Sequence, residues 1–278
     1  MKKSLVILIL LFSCAAFMGL KVIIDNCPRG KIPGSSIIYI PSGKYMKYAS
    51  LGYSNLLADI LYLWAIQYYS NTDIVERFDH MEHIFSIITE LDPLYLDPYE
   101  VGAVIAVYEA NDLDLAFRLL DLGLENNPDQ WLFPFVAGHF AQMKLNDFEV
   151  ARHYYKKAMA IEGAPSQTER LYANAAYMTL DYQTAWQNWL EIYQTADNER
   201  VKKIASNHLY RVKAAVDTET LKGVLEQYRQ KFGQFPSGLD RLLQTGFLAA
   251  LPQDLDGKSY VYNPKTGEVT APTIPWKR

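Results

Sequence analysis

Cysteine is nearly absent. Cys14 and Cys27 are the only two among 278 residues. Cys14 lies inside an apolar run and Cys27 just beyond it; if that run is a helix, they stand about 20 Å apart along it, too far for a bond between them. The body beyond the run holds at most one cysteine, so it folds without internal disulfides. Without a Cys-x-x-Cys-His sequence, covalently attached haem of the usual kind is excluded. Fifteen Gly and thirteen Pro are too few for a fibrous or low-complexity chain. There is no excess of positive charge either. Twenty-seven Lys and Arg stand against 31 Asp and Glu, whereas phosphate recognition needs a basic face, so nucleic acid is not an expected partner. No Gly-x-Ser-x-Gly and no His-Glu-x-x-His occur. Pro41-Ser42-Gly43-Lys44 is not the end of a phosphate loop, because Ile38 stands where the loop's first glycine belongs.

What is present is an ordinary globular balance, half apolar and 21% charged, with twenty tyrosines. The amino terminus is the exception. After Lys2 and Lys3, residues 4 to 20 carry no charge, and beyond Lys21 the apolar run continues to Ile24. At 1.5 Å per residue the longer stretch reaches the roughly 30 Å of a bilayer core. The basic amino terminus puts the rest of the chain on the exported side. Residues 1–24 are therefore expected to be a signal anchor, a single transmembrane helix in a bacterial inner membrane with a periplasmic body. Two other fates stay open: a lipoprotein with Cys14 as the lipidated residue of Leu11-Phe12-Ser13-Cys14, and cleavage after Ala16.

Residues 25–43, rich in Pro and Gly, read as a linker in which residues 37–40 pack against the body in extended form. A helical stretch then follows, with Tyr45, Tyr48, Leu51, Leu56, Ile60, Leu63 and Ile66 at helical spacing and a break near Gly52. Farther on the chain repeats itself. Pro93 and Pro128 lie 35 residues apart, Ala116 and Ala151 lie 35 apart, and Ala151 and Ala185 lie 34 apart. The middle block sets Tyr155 and Ala158 after Ala151; the block before it has Leu120 and Gly123 after Ala116; the block after has Trp189 and Ile192 after Ala185. An earlier, weaker block has Met81 and Phe85.

Over about residues 62 to 197 this pattern resembles the tetratricopeptide repeat family. Its unit is a helix pair in which small residues let two helices approach closely while an aromatic fills the gap to the next pair. The resemblance implies an all-α, right-handed helical solenoid over residues 44–197. It also implies a protein-binding groove lined by the first helix of each pair: Val101, Ile105, Tyr108 and Glu109; Phe133, Val136, Phe140, Met143 and Lys144; Arg170, Asn174, Tyr177 and Met178. Aromatic, Met and Arg side chains suit such a face; the alternative is that the protein's own segments cover the apolar ones. Two capping helices are expected over residues 198–232, at 199–216 and 218–232, with Leu221, Val224, Leu225 and Tyr228 as a stripe able to pack on the last repeat.

The tail, residues 233–278, changes character. Ser237 can cap a short Leu-rich helix, and residues 260–262 and 268–270 read as two strands around an Asn-Pro-Lys-Thr-Gly turn. With Tyr228, Gly233, Phe235, Pro236, Leu251, Pro252, Asp254, Gly257 and Tyr260, this stretch resembles the end of major pseudopilins of type II secretion and implies a small α+β unit. The prepilin peptidase site of that family is missing from the amino terminus.

No residue set points to catalysis, a cofactor or a metal. His80 and His83 could share a helix face, but solvated helix faces account for them. Asp254 and Asp256 beside Gly257 fit a tight turn in which aspartates cap backbone amides, since the Glu that closes a calcium loop is replaced by Lys265. Charge is segregated: +4 over residues 1–31, −13 over 32–197 and +5 over 198–278. The expectation is a non-catalytic, membrane-anchored scaffold that binds a protein partner in the bacterial envelope, in pilus or secretion assembly. A pilotin-type outer-membrane lipoprotein, or an envelope enzyme using the repeats to recruit substrate, are the alternatives.

Overall fold

A computed structural model describes residues 2–26, 32–33 and 40–277. The chain forms two compact units, Met1–Asp112 and Leu113–Arg278.

The first unit begins with α1 (Lys2–Asp25). Its apolar residues from Ile9 to Ile23 are exposed along the helix. Among the described residues no helix is long and apolar enough to cross a membrane. After β1 (Ile32–Pro33) come α2 (Gly43–Ala49), α3 (Ser54–Ser70), β2 (Ile74–Val75), α4 (Met81–Leu91) and α5 (Leu96–Ile105). β1 pairs in parallel with β2, Ile32 opposite Ile74. Of the extended stretch expected at 37–40, only Ile40 lies within the described residues; His83 Nε2 donates to its carbonyl at 2.8 Å.

In this unit α2, α3 and α5 all pack on α4. Met81 and Phe85, the repeat positions of the weak first block, are both buried, with Ile84, Ile87, Ile88 and Leu91 beside them. Gly43 allows α2 to lie close against α4. A Cβ there would fall 2.5 Å from Glu90 Oε2. Of the residues at helical spacing, Tyr45 and Tyr48 on α2, Leu51 in the turn, and Leu56, Ile60 and Leu63 on α3 are exposed and Ile66 is half-buried; the buried side of α3 is Ala58, Tyr62, Ala65, Tyr68 and Tyr69. α3 has apolar residues on two sides, so periodicity alone cannot choose its inner face.

The second unit contains α6 (Leu113–Asn126), α7 (Leu132–Phe140), α8 (Phe148–Met159), α9 (Gln167–Met178), α10 (Tyr182–Thr195) and α11 (Glu199–Phe232). Each helix packs on the next in sequence. Every small and large repeat position is buried: Ala116, Leu120 and Gly123; Ala151, Tyr155 and Ala158; Ala185, Trp189 and Ile192. The second helices of neighbouring pairs also meet. Phe117 stacks on Tyr154 with ring centroids 5.7 Å apart, and the Tyr154 hydroxyl donates to Asp121 at 3.0 Å. Arg152 donates to Asp181 at the start of α10, the second helix of the following pair.

One turn recurs three times along the chain. Asn111, Asn146 and Leu180 all sit in left-handed backbone, at φ 55, 53 and 62. The amide after each reaches back to Ala106, Ala141 and Ala176 respectively. Short polar side chains tolerate that conformation best, which accounts for the two asparagines. Asp147 and Asp181 then cap α8 and α10 by accepting from the amides of Val150 and Thr184.

α11 corrects the expectation of two capping helices. It runs unbroken for 34 residues, about 51 Å. Lys213 pairs with Asp217 at 2.5 Å and the Thr218 hydroxyl donates back to Ala214, so no helix end forms there. Its first half, with Ala205, Leu209 and Val212, closes the core of α9 and α10. The stripe Leu221, Val224, Leu225 and Tyr228 packs on the tail instead of on the last repeat. Leu242 of α12 (Asp240–Gln244), Tyr260, and Val269 of the hairpin β3 (Val261–Asn263) and β4 (Glu268–Thr270) complete that second core. Asp254 fixes the loop before the hairpin by accepting from the amides of Asp256 and Lys258.

Candidate functional site

The carried-over groove residues fall in both units. In the first, Val101 and Ile105 lie on α5, and Tyr108 and Glu109 on the wider π turn that follows it at 106–110. Ile105 is buried, Val101 half-buried, and Tyr108 and Glu109 exposed. Glu109 accepts from Arg77 at 3.4 Å.

In the second unit, Phe133, Val136 and Phe140 lie on α7, with Met143 and Lys144 on its closing π turn at 141–145. Phe133 and Phe140 are 0% and 2% exposed. These two rings are core in the chain as it stands. Met143 is the exposed apolar member of that set, and Lys144 is exposed beside it. On α9, Arg170, Asn174 and Tyr177 are half-buried and Met178 exposed.

Arg170 and Tyr177 do not converge. Arg170 opens onto a cavity of about 280 Å³ shared with Glu169, Ile192, Asp197 and Val201. Tyr177 lines another, of about 430 Å³, with Arg211, Val269, Ile274 and Trp276. The Arg211 guanidinium lies over the Tyr177 ring at 4.2 Å. The tail therefore forms one wall of the space beside Tyr177.

Behind that wall is an aromatic stack. The His208 ring lies flat on Trp189, centroids 3.9 Å apart, and Trp276 meets it edge-on at 5.1 Å. Burial, with Arg211 nearby, pushes the His208 imidazole down to about 4. It is a neutral packing group at neutral pH.

The apolar opening of the second unit lies elsewhere. Tyr182 and Trp186 from α10, Val212 and Val216 from α11, and Leu255 from the tail loop line a cleft of about 600 Å³, a size that accepts a sizeable side chain or small ligand. Its polar end is the Lys213–Asp217 pair, and the Tyr260 hydroxyl also donates to Asp217 at 2.7 Å. Sequence reading missed this cleft. Tyr182 with Trp186, and Val212 with Val216, are i, i+4 pairs outside the repeat positions; that was the available signal.

Cys14 is exposed in the middle of α1. Among the described residues no group of three or more His, Cys, Asp or Glu is placed to hold a metal ion. No protein-family model and no curated protein matches the chain. Among solved structures it is similar to that of Naa15/Naa10 bound to HypK-THB, at 19% identity and a TM-score of 0.40, over 69% of this chain and 28% of that one. This chain thus spans little more than a quarter of that chain's length.

Proposed function

We propose that the chain is a non-catalytic scaffold whose helix pairs hold a protein partner. The observation that carries this reading is the cleft between α10 and α11. Tyr182, Trp186, Val212, Val216 and Leu255 present apolar surface to an opening at the end of the repeat stack, and an apolar pocket with a charged rim is suited to anchoring one large side chain of a partner.

In this reading the amino-terminal helix attaches the chain to a bacterial inner membrane, with its body on the exported side. The bases for this are the basic amino terminus and the uncharged run of residues 4 to 20. The likeness of residues 228–260 to the pseudopilin end suggests pilus or secretion assembly as the setting.

The test is a photo-crosslinking residue at position 186 of the full chain, in intact cells. One partner species should be captured there. Trp186→Ala combined with Leu255→Ser should lower capture from a second crosslinker at position 183 by tenfold or more, with helical content and melting kept near those of the parent. Undiminished capture by a folded double variant would remove the cleft as the partner's site.

A further inference from the structure

The outward side of α3 carries Tyr53, Leu56, Ile60 and Leu63, three, four and three residues apart and each more than half exposed. The inward side is separate and complete: Ala58, Tyr62, Ala65 and Tyr69. A helix with apolar side chains on two opposite sides buries one in its core and leaves the other to a partner or a bilayer, and the outer side of α3 is in no core. Tyr45 and Tyr48 on α2, and Leu51 in the turn between the helices, are exposed as well. Leu51 is 86% exposed and held at φ 50, a conformation unfavourable for leucine. Asp59 and Asn55 lie along one edge of the α3 stripe, and Gln67, exposed four residues after Leu63, is its polar end.

Two observations say what covers this patch. The first is chain length. α1 ends at Asp25, and Ile32–Pro33 are already paired with Ile74–Val75 of the first unit. The seven Cα steps from Asp25 to Ile32 span at most about 24 Å, so a membrane that holds α1 also holds the β1–β2 pair of the unit within that distance. The second is charge. Residues 21–47 contain Lys21, Arg29, Lys31, Lys44 and Lys47 against Asp25 alone, whereas residues 48–112 contain eleven acidic residues and one basic, Arg77. The apolar patch thus begins at the basic end of an otherwise acidic unit, with Lys44 and Lys47 on α2 itself. Tyrosines with an apolar body and polar tip, leucines, and flanking lysines are the chemistry of the headgroup layer of an anionic bilayer.

We propose that the α2–α3 face rests in the headgroup region of an anionic lipid bilayer, docking the first unit flat against the membrane instead of leaving it on a free tether. The inference rests on the membrane attachment of α1 proposed above. Asp59 and Asn55 at the edge of the stripe stay in the wet layer.

The test uses the full chain with Cys14→Ser and Cys27→Ser and a single new cysteine, Tyr48→Cys or Ile60→Cys, carrying an environment-sensitive fluorophore; Asp97→Cys on α5 is the control. Vesicles contain seven parts phosphatidylcholine to three of phosphatidylglycerol. The expected result is a blue-shifted emission at 48 and 60, quenched at least twofold by spin-labelled lipid, with no change at 97. Replacing Leu51, Leu56 and Leu63 together by Ser should abolish the quenching while the chain still floats with the vesicles. A chain that floats but keeps its labels at 48 and 60 in water overturns the docking face and leaves the attachment standing. A chain that does not float overturns both. Energy transfer between two labelled copies at these sites, without lipid quenching, overturns the proposal in favour of self-association.

Discussion

At the scale of single residues, two glycines make opposite predictions. Gly138 on α7 faces the Tyr155 ring. A Cβ there would stand 2.7 Å from two ring carbons and 3.2 Å from the Ala151 carbonyl oxygen, and Tyr155 is fully buried with no room to give. Overpacking of this kind costs about 1–3 kcal/mol, more than the up to about 1 kcal/mol gained by replacing a helical glycine with alanine. Gly223 on α11 has nothing within 4 Å of the same built atom, so only the gain remains. Gly138→Ala should lower the melting temperature and Gly223→Ala should raise it, both read by thermal unfolding. His208 gives a pH prediction. Its folded value near 4 lies below the ordinary 6.5, so the unfolded chain takes up the proton first. Stability should fall as pH drops from about 6.5 to about 4, by at most about 1.4 kcal/mol per pH unit, and this contribution should level off below. His208→Phe keeps a ring between Trp189 and Trp276 and should remove that limb from urea unfolding measured at a series of pH values.

At the scale of elements, the repeat was legible because it constrains spacing as well as identity. Ala116, Ala151 and Ala185 could be aligned without knowing what surrounded them, and all three are completely buried. The turn residues Asn111 and Asn146 repeat at the same interval, but Leu180 breaks the chemical pattern while keeping the left-handed backbone. Residue type alone would have missed it. The inner face of α3 is not legible in the sequence, because apolar residues on two sides of the helix give two stripes and the packing on α4 chooses between them. α11 reads as two helices from the sequence because, although Lys213 stands four residues before Asp217, the Tyr260 hydroxyl that also holds it lies 43 residues later. Asp217→Ala would leave the Tyr260 hydroxyl and the Lys213 ammonium without that partner, at a cost of about 1–3 kcal/mol. The expected outcome is earlier proteolytic cutting in the tail, with the helical signal of the repeats largely kept.

At the scale of the molecule, the sequence conveyed composition, charge order and the helix-pair repeat better than it conveyed the binding surface. The groove carried over by resemblance assigned Phe133 and Phe140 to an open face, yet both are enclosed. It placed Arg170 beside Tyr177, yet they open onto separate cavities. Which helix side is concave, and which segment closes it, depends on contacts between elements far apart in the chain. The tail wall at Ile274 and Trp276 is such a contact. The apolar cleft formed by α10, α11 and Leu255 is another, since neither the repeat register nor the tail pattern alone implies it.

α11 belongs to two cores at once. Its first half is buried with Trp189 and Ile192 of the last helix pair, and its second half with Leu242, Tyr260 and Val269 of the tail. A loop between these halves would act as a hinge. A single helix about 51 Å long acts as a rod. Tension applied at the hairpin, passed to α11 through their shared core, would load the α10–α11 contact in shear, with no break inside α11 to absorb it. A protein pulling on the tail would in this way also pull on the walls of the cleft, and the two ends of the second unit would report mechanical load to each other.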